Sequence, residues 1–175
     1  MKHSWWVLAL CLAGCRPELP PPTEQDVVDV VVDAVIAPMG EVVVVSQPND
    51  CRGSKVSVPP AAWAAFLDAN GFGDGLNLSR YATRLTLDTS GDEAESVRAR
   101  RRMPVVSLSR VGLAENDALL CVEIYGAGDR GYYLLLRRDG RGQWSLKSEM
   151  EAWEEPAQAW ELPLEEMPDG TVYEN

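Results

Sequence analysis

From residue 105 onward the apolar positions alternate or cluster in short blocks. These are Val105–Val111, Ala118–Tyr125, Tyr132–Arg138 and Gln143–Met150. Blocks of this length and period read as strands. Gly112 to Asp117, Gly126 to Gly131 and Asp139-Gly140 separate them, and an Asp-Gly pair between alternating segments is a hairpin signal. Leu120, Val122 and Ile124 share one face, as do Trp144, Leu146 and Met150. The pattern predicts a meander with one core side and one wetter side.

Upstream the period changes. Asp26 to Ala37 (DVVDVVVDAVIA) is valine-rich, which favours a strand. Its acids argue otherwise, because Asp26, Asp29 and Asp33 fall at i, i+3 and i+7 on one helical face. Pro38 would stop such a helix, and the helical reading is adopted. Glu41 to Gln47, a β-branched run between Gly40 and Pro48, predicts a buried strand. Pro59 and Pro60 suit the start of a second helix. Trp63, Phe66 and Leu67 give it an apolar stripe, and Asn70-Gly71 ends it. A short strand is expected within Leu76–Leu87, an exposed loop over Ser90–Arg102, and an extended tail after Trp153, pinned by Trp160 and Leu162. The expected fold class is α+β, with two short helices packed on an antiparallel β-meander. One domain spans 26–155, and 156–175 form an acidic, proline-containing tail.

The N-terminus follows a different rule. Lys2 precedes an unbroken apolar run from Trp5 to Ala13, far short of the about 20 residues that span a bilayer. It fits the apolar core of a secretory signal. Leu12-Ala13-Gly14-Cys15 resembles the lipobox of bacterial lipoproteins. That resemblance implies acylation of the Cys15 thiol and cleavage before it, making 1–14 a signal peptide. The other reading is an ordinary signal with an incidental cysteine. Each buried CH₂ contributes about 0.8 kcal/mol, so two or more acyl chains anchor stably where one does not. Arg16 to Gln25 (RPELPPPTEQ) has the composition of a semi-rigid polyproline spacer, and 15–25 is read as lipidated cysteine plus linker. In the resembled family an aspartate after the cysteine favours retention in the inner membrane. Arg16 stands there instead, which implies lipid anchoring in the outer membrane.

Charge and cysteine content sharpen the picture. The formal net charge is −11, and loss of Lys2 with the signal makes it one unit more negative. Such acidity argues against nucleic-acid partners. Glutamates and an aspartate crowd the chain after Lys147, opposite in sign to the Arg98–Arg102 cluster; solvated segments explain both most simply. Removing Cys11 with the signal and Cys15 to lipid leaves Cys51 and Cys121. Export favours pairing them in a disulfide, with two buried thiols as the alternative. The single histidine, His3, leaves with the signal. Without it the mature chain lacks Ser-His-Asp and Cys-His catalysis and any His-containing zinc site. No catalytic residue, metal site or cofactor is expected.

The stretches SLSRVGL and ALLCVEIYGAGDRGYYLLLRRDGRGQWSLKSE resemble the C-terminal half of a group of exported bacterial proteins of unassigned activity. A looser resemblance runs to cystatin-like or NTF2-like sheets. Both imply fold more than function. The leading expectation is a non-catalytic envelope lipoprotein that binds or braces an envelope protein or ligand, held to the membrane by its lipid. The alternatives are a hydrolase using paired carboxylates, with the pair flanking a scissile bond, and a small-ligand carrier whose aromatic face combines Trp63, Phe66 and Trp144.

Overall fold

The structure, a computed structural model, describes residues 19–87, 103–126 and 128–155. The expected features at Cys15, in the Arg98–Arg102 cluster and at Trp160 and Leu162 lie outside them.

Helix α1 spans Glu24–Val31. Its N-cap is Thr23, whose hydroxyl accepts from the Asp26 N–H while the Asp26 carboxylate accepts from the Thr23 N–H. This reciprocal pair satisfies two donors that a bare helix start leaves free. The helix continues through a π-turn, Val32–Ile36, and a 3₁₀ turn, Ala37–Met39, before Gly40 at φ +81° redirects the chain. The acids settle the contest between helix and strand. Asp29 pairs with Arg80 and accepts from the Tyr81 hydroxyl, and Asp33 pairs with Arg84. The four-residue spacing of the acids thus matches that of the arginines, while Val27, Val28, Val31, Val32 and Ile36 turn inward and are buried.

The remaining elements are β1 (Val43–Ser46), α2 (Pro60–Gly71), β2 (Thr86–Leu87), β3 (Val105–Leu108), β4 (Gly112–Ala114), β5 (Asp117–Tyr125), β6 (Asp129–Arg138) and β7 (Trp144–Glu155). They form one sheet in the order β2-β1-β3-β5-β6-β7, with β4 also paired to β5. The fold is α+β and the sheet is mixed. β1 runs parallel to both β2 and β3, whereas β3-β5, β5-β6 and β6-β7 are antiparallel. Parallel neighbours need a long crossover; α2 lies in the one that joins β1 to β2.

The wetter second side expected from alternation is corrected over β5 and β6, where both faces are covered, whereas most of β7 is exposed. Val44, Val106, Leu108, Leu120, Val122, Leu134 and Leu136 pack beneath α1. On the reverse face Leu119, Cys121, Tyr133 and Leu135 meet Ala62 and Phe66 of α2. Blocks such as Leu119–Val122 and Leu134–Leu136 are apolar at every position because their odd and even residues serve different cores. Three further expectations change. Gly112–Ala114, read as turn, is a strand whose glycine lets α2 approach: a Cβ there would stand 2.2 Å from the Phe66 backbone nitrogen. Leu67 is 45% exposed rather than part of the buried stripe. Met150 departs from the face of Trp144, because the register slips between Leu136↔Leu146 and Leu135↔Ser148. That bulge turns Ser148–Glu151 to the opposite side, and a second slip between Tyr132↔Glu151 and Gly131↔Trp153 restores the original alternation.

Candidate functional site

The chemistry-bearing side chains gather where Pro48–Ser54 crosses the α2-side face. Cys51, Arg52 and Gly53 all have positive φ, at 50°, 58° and 65°, so the chain makes a tight left-handed turn closed by Gly53 N–H to Asp50 C=O and Ser54 N–H to Cys51 C=O. Non-glycine residues pay about 1–2 kcal/mol each for that conformation, so neighbouring contacts must hold them. One is covalent. Cys51 and Cys121 form a disulfide, with Cα atoms 5.8 Å apart across a sequence separation of 70, the pairing favoured from the sequence. Both cysteines are fully buried.

Two residues beyond Cys121 on the same face is Glu123, only 4% exposed. Its carboxylate accepts three hydrogen bonds: from Trp153 Nε1 (3.1 Å) on one oxygen, and from Tyr125 Oη (2.7 Å) and Asn49 Nδ2 on the other. Asn49 Oδ1 in turn accepts from the Cys51 N–H at 2.6 Å. Trp153 can lie across the sheet because the residue beneath it is Gly131, where a Cβ would fall 2.2 Å from the indole nitrogen. The Arg52 guanidinium stacks 3.6 Å above the Trp153 ring and pairs with Glu155, whose hydrogen bond pushes the arginine's pKa up. Beside them the Tyr133 hydroxyl lies within hydrogen-bonding distance of the Asp50 and Ser54 carbonyls, at 2.6 and 3.1 Å. Burial, reinforced by the negative charges of Asp50 and Glu123, pushes its pKa up to about 12.

This cluster is a clasp. It ties the left-handed turn to β5, β6 and β7 through one covalent bond, one buried carboxylate and one cation–π stack. Cys51, Cys121 and Glu123 bring their donor atoms within 4.8 Å of one another, but a sulfur in a disulfide is no thiolate and does not ligate a metal this way. Glu123 was missed in the sequence reading. The one available signal was a charge placed at the next step of the Leu119, Cys121 alternation.

The aromatic face expected from Trp63, Phe66 and Trp144 does not form. Trp63 and Phe66 pack with Tyr133 on the α2 side, at ring separations of 5.5 Å, whereas Trp144 belongs to the α1-side core. The sheet stands between them. A groove of about 590 Å³ lies elsewhere, between Ala61 and Ala65 of α2, the Glu115-Asn116 turn and Arg137. Arg137 is engaged there by Asp117 at 2.8 Å.

Compared with protein families, curated proteins and solved structures, the chain matches none. Among the described residues no helix is long and apolar enough to cross a membrane.

Proposed function

We propose that the chain is a lipid-anchored protein of the bacterial outer membrane whose α+β domain acts by binding or bracing, not by catalysis. The observation that carries the reading is the order of parts at the N-terminus: Lys2, the apolar run Trp5–Ala13, Leu12-Ala13-Gly14-Cys15, then RPELPPP. The Cys51–Cys121 disulfide supports it, since such bonds persist in oxidising compartments. The clasp supports the non-catalytic half. Its buried carboxylate is bonded on both oxygens by residues of three other positions, which leaves it a structural acceptor, not an acid or base facing substrate.

The test is a Cys15→Ser substitution in cells fed radioactive palmitate. The wild-type chain takes up label and is shortened by the signal; the variant stays unlabelled at precursor length. Normal processing of the variant overturns the reading. Fractionation of an Arg16→Asp variant checks the compartment, with the expected outcome a shift from outer to inner membrane.

A further inference from the structure

The linker expected over 15–25 is docked onto the domain from Leu19 onward. Leu19 lies against the turn between β6 and β7, where a Cβ on Gly142 would stand 3.3 Å from its Cδ2. The Pro20 carbonyl accepts from Arg138 Nη2 at 2.8 Å, and Thr23 then caps α1. Arg138 also donates from Nε to the Gly142 carbonyl at 3.3 Å, so one guanidinium joins the incoming chain to the turn. Four peptide steps remain between Leu19 and Cys15, and an extended chain covers at most about 14 Å over that length.

This docking point sits at one end of the sheet. The pairings Asp117↔Arg137 and Arg138↔Trp144 place the start of β5, the end of β6 and the start of β7 there. The pairings Ile124↔Arg130 and Arg130↔Glu154 mark the opposite end. Strand β6 connects the two with 10 residues, which at a rise of about 3.4 Å each span about 30 Å. That is about twice the reach of the tether. With Leu19 docked, a bilayer holding Cys15 lies too close for the domain to stand inverted on its Glu154 end.

Charge favours standing over lying on the β7 edge. Exposed Glu149, Glu151 and Glu154 line that edge, with Lys147 the one cation between Ser145 and Glu155. At the tether end Arg137, Arg138 and Arg141 match Glu115, Asp117 and Asp139 in number, although the whole chain carries −11. The Asp139 carboxylate is further occupied by the N–H groups of Arg141 and Gln143, at 2.8 and 2.9 Å. Arg141 is exposed and has no ion pair among the described residues. A guanidinium so placed suits a lipid phosphate, whereas an uncompensated row of carboxylates is repelled by one.

We propose, on the lipid-anchor reading, that the domain stands on its β6–β7 turn, with Asp139–Gly142 against the phospholipid headgroups of the bilayer that holds Cys15. The opposite end, toward which Trp153 and Arg52 lie, is then held about a strand's length from the lipid. It is the end offered to an envelope partner.

The test uses the chain from Cys15 onward, which contains every described contact. Cys15, its one cysteine outside the disulfide, is coupled to a maleimide lipid in phosphatidylcholine vesicles. A photoreactive benzoylphenylalanine replaces Gly140 in one preparation and Glu154 in another; both positions are exposed. Gly140 accepts a side chain, since nothing lies within 4 Å of a Cβ added there and its φ is not positive. Irradiation is expected to give a several-fold excess of lipid adduct at position 140 over position 154. Equal yields, or an excess at position 154, overturn the proposal. Because chemical coupling replaces natural acylation, the outcome is independent of whether palmitate is found on Cys15 in cells. A failed anchor reading and a failed stance therefore give different results.

Discussion

Trp153 lies across Gly131 and donates from its indole nitrogen to the Glu123 carboxylate, 3.1 Å away. Gly131 and Glu123 are themselves cross-strand partners, so tryptophan, glycine and glutamate form one tier across β5, β6 and β7. Removing the carboxylate takes this acceptor from three part-buried donors, each costing up to about 1–3 kcal/mol if left unsatisfied. Glu123→Ala is expected to destabilise by about 3 kcal/mol or more, and Glu123→Gln by less because its amide oxygen still accepts. Gly131→Ala forces the indole aside, at about 1–3 kcal/mol. Urea unfolding midpoints at constant slope check all three; a Glu123→Ala midpoint equal to wild type removes the clasp.

Arg52 separates three contributions at one position. Its backbone sits at φ 58°, its guanidinium stacks on Trp153, and its ion pair with Glu155 is about half exposed on both sides. Exposed pairs contribute about 0–1 kcal/mol and exposed cation–π stacks about 0.5–1 kcal/mol. Arg52→Ala loses both and keeps the backbone cost, so destabilisation of about 1 kcal/mol is expected. Arg52→Gly loses the same contacts but relieves the left-handed strain, and is expected to lie within about 0.5 kcal/mol of wild type. If glycine is the worse of the two by thermal or urea unfolding, the turn is not strained as described.

The disulfide closes a loop of 70 residues, for which the chain-entropy model gives about 4 kcal/mol. With both cysteines fully buried, a reductant meets them only after local opening. Dithiothreitol at native conditions is expected to leave the bond intact for hours, whereas the same reagent in denaturant releases two alkylatable thiols in one step. Peptide mapping after alkylation reads the result; rapid reduction of the folded protein contradicts a buried clasp.

Ser107 carries the opposite lesson. It is fully buried in β3, cross-strand from Glu123, and its hydroxyl has no partner among the described residues. A buried hydroxyl left unbonded costs about 1–3 kcal/mol by mutational measures. Ser107→Ala is therefore expected to be neutral or to stabilise by about 1 kcal/mol, which a raised melting temperature would report. A loss of stability would mean that the hydroxyl has an acceptor.

What the sequence made legible follows from which signals are local. The helix at α1 was readable because Asp29 and Asp33 keep helical spacing, although their arginine partners are distant in the chain. Strands β5 and β6 were readable from alternation and the turns around them. The mixed sheet was not, since nothing in Val43–Ser46 says that its neighbours run parallel. The bulge near Lys147 was also hidden; it follows from pairing with β6, and it alone sends Met150 to the other face. Cys51 and Cys121 were found by elimination, whereas Glu123 was passed over because its three donors come from residues 49, 125 and 153. A side chain whose partners are that scattered looks, in sequence, like any solvated charge.

Stability at high pH depends on the buried tyrosines. Tyr133, with an ordinary value of 10.0, is raised to about 12 by burial and by the negative charges of Asp50 and Glu123. Tyr81 is shifted in the same direction by burial and by its bond to Asp29. In the unfolded chain each phenol loses its proton near pH 10, while in the folded chain it keeps it. The native state then holds more protons, so stability falls as pH rises. The Tyr133 contribution is fully present below pH 10 and is lost between about pH 10 and 12, at up to about 1.4 kcal/mol per pH unit. Tyr133→Phe removes that titration. The variant starts less stable because the contact with the Asp50 and Ser54 carbonyls is gone, but its urea midpoint is expected to decline less steeply over the same window. Parallel decline of variant and wild type would place the Tyr133 phenol in contact with water and open the face on which the clasp is built.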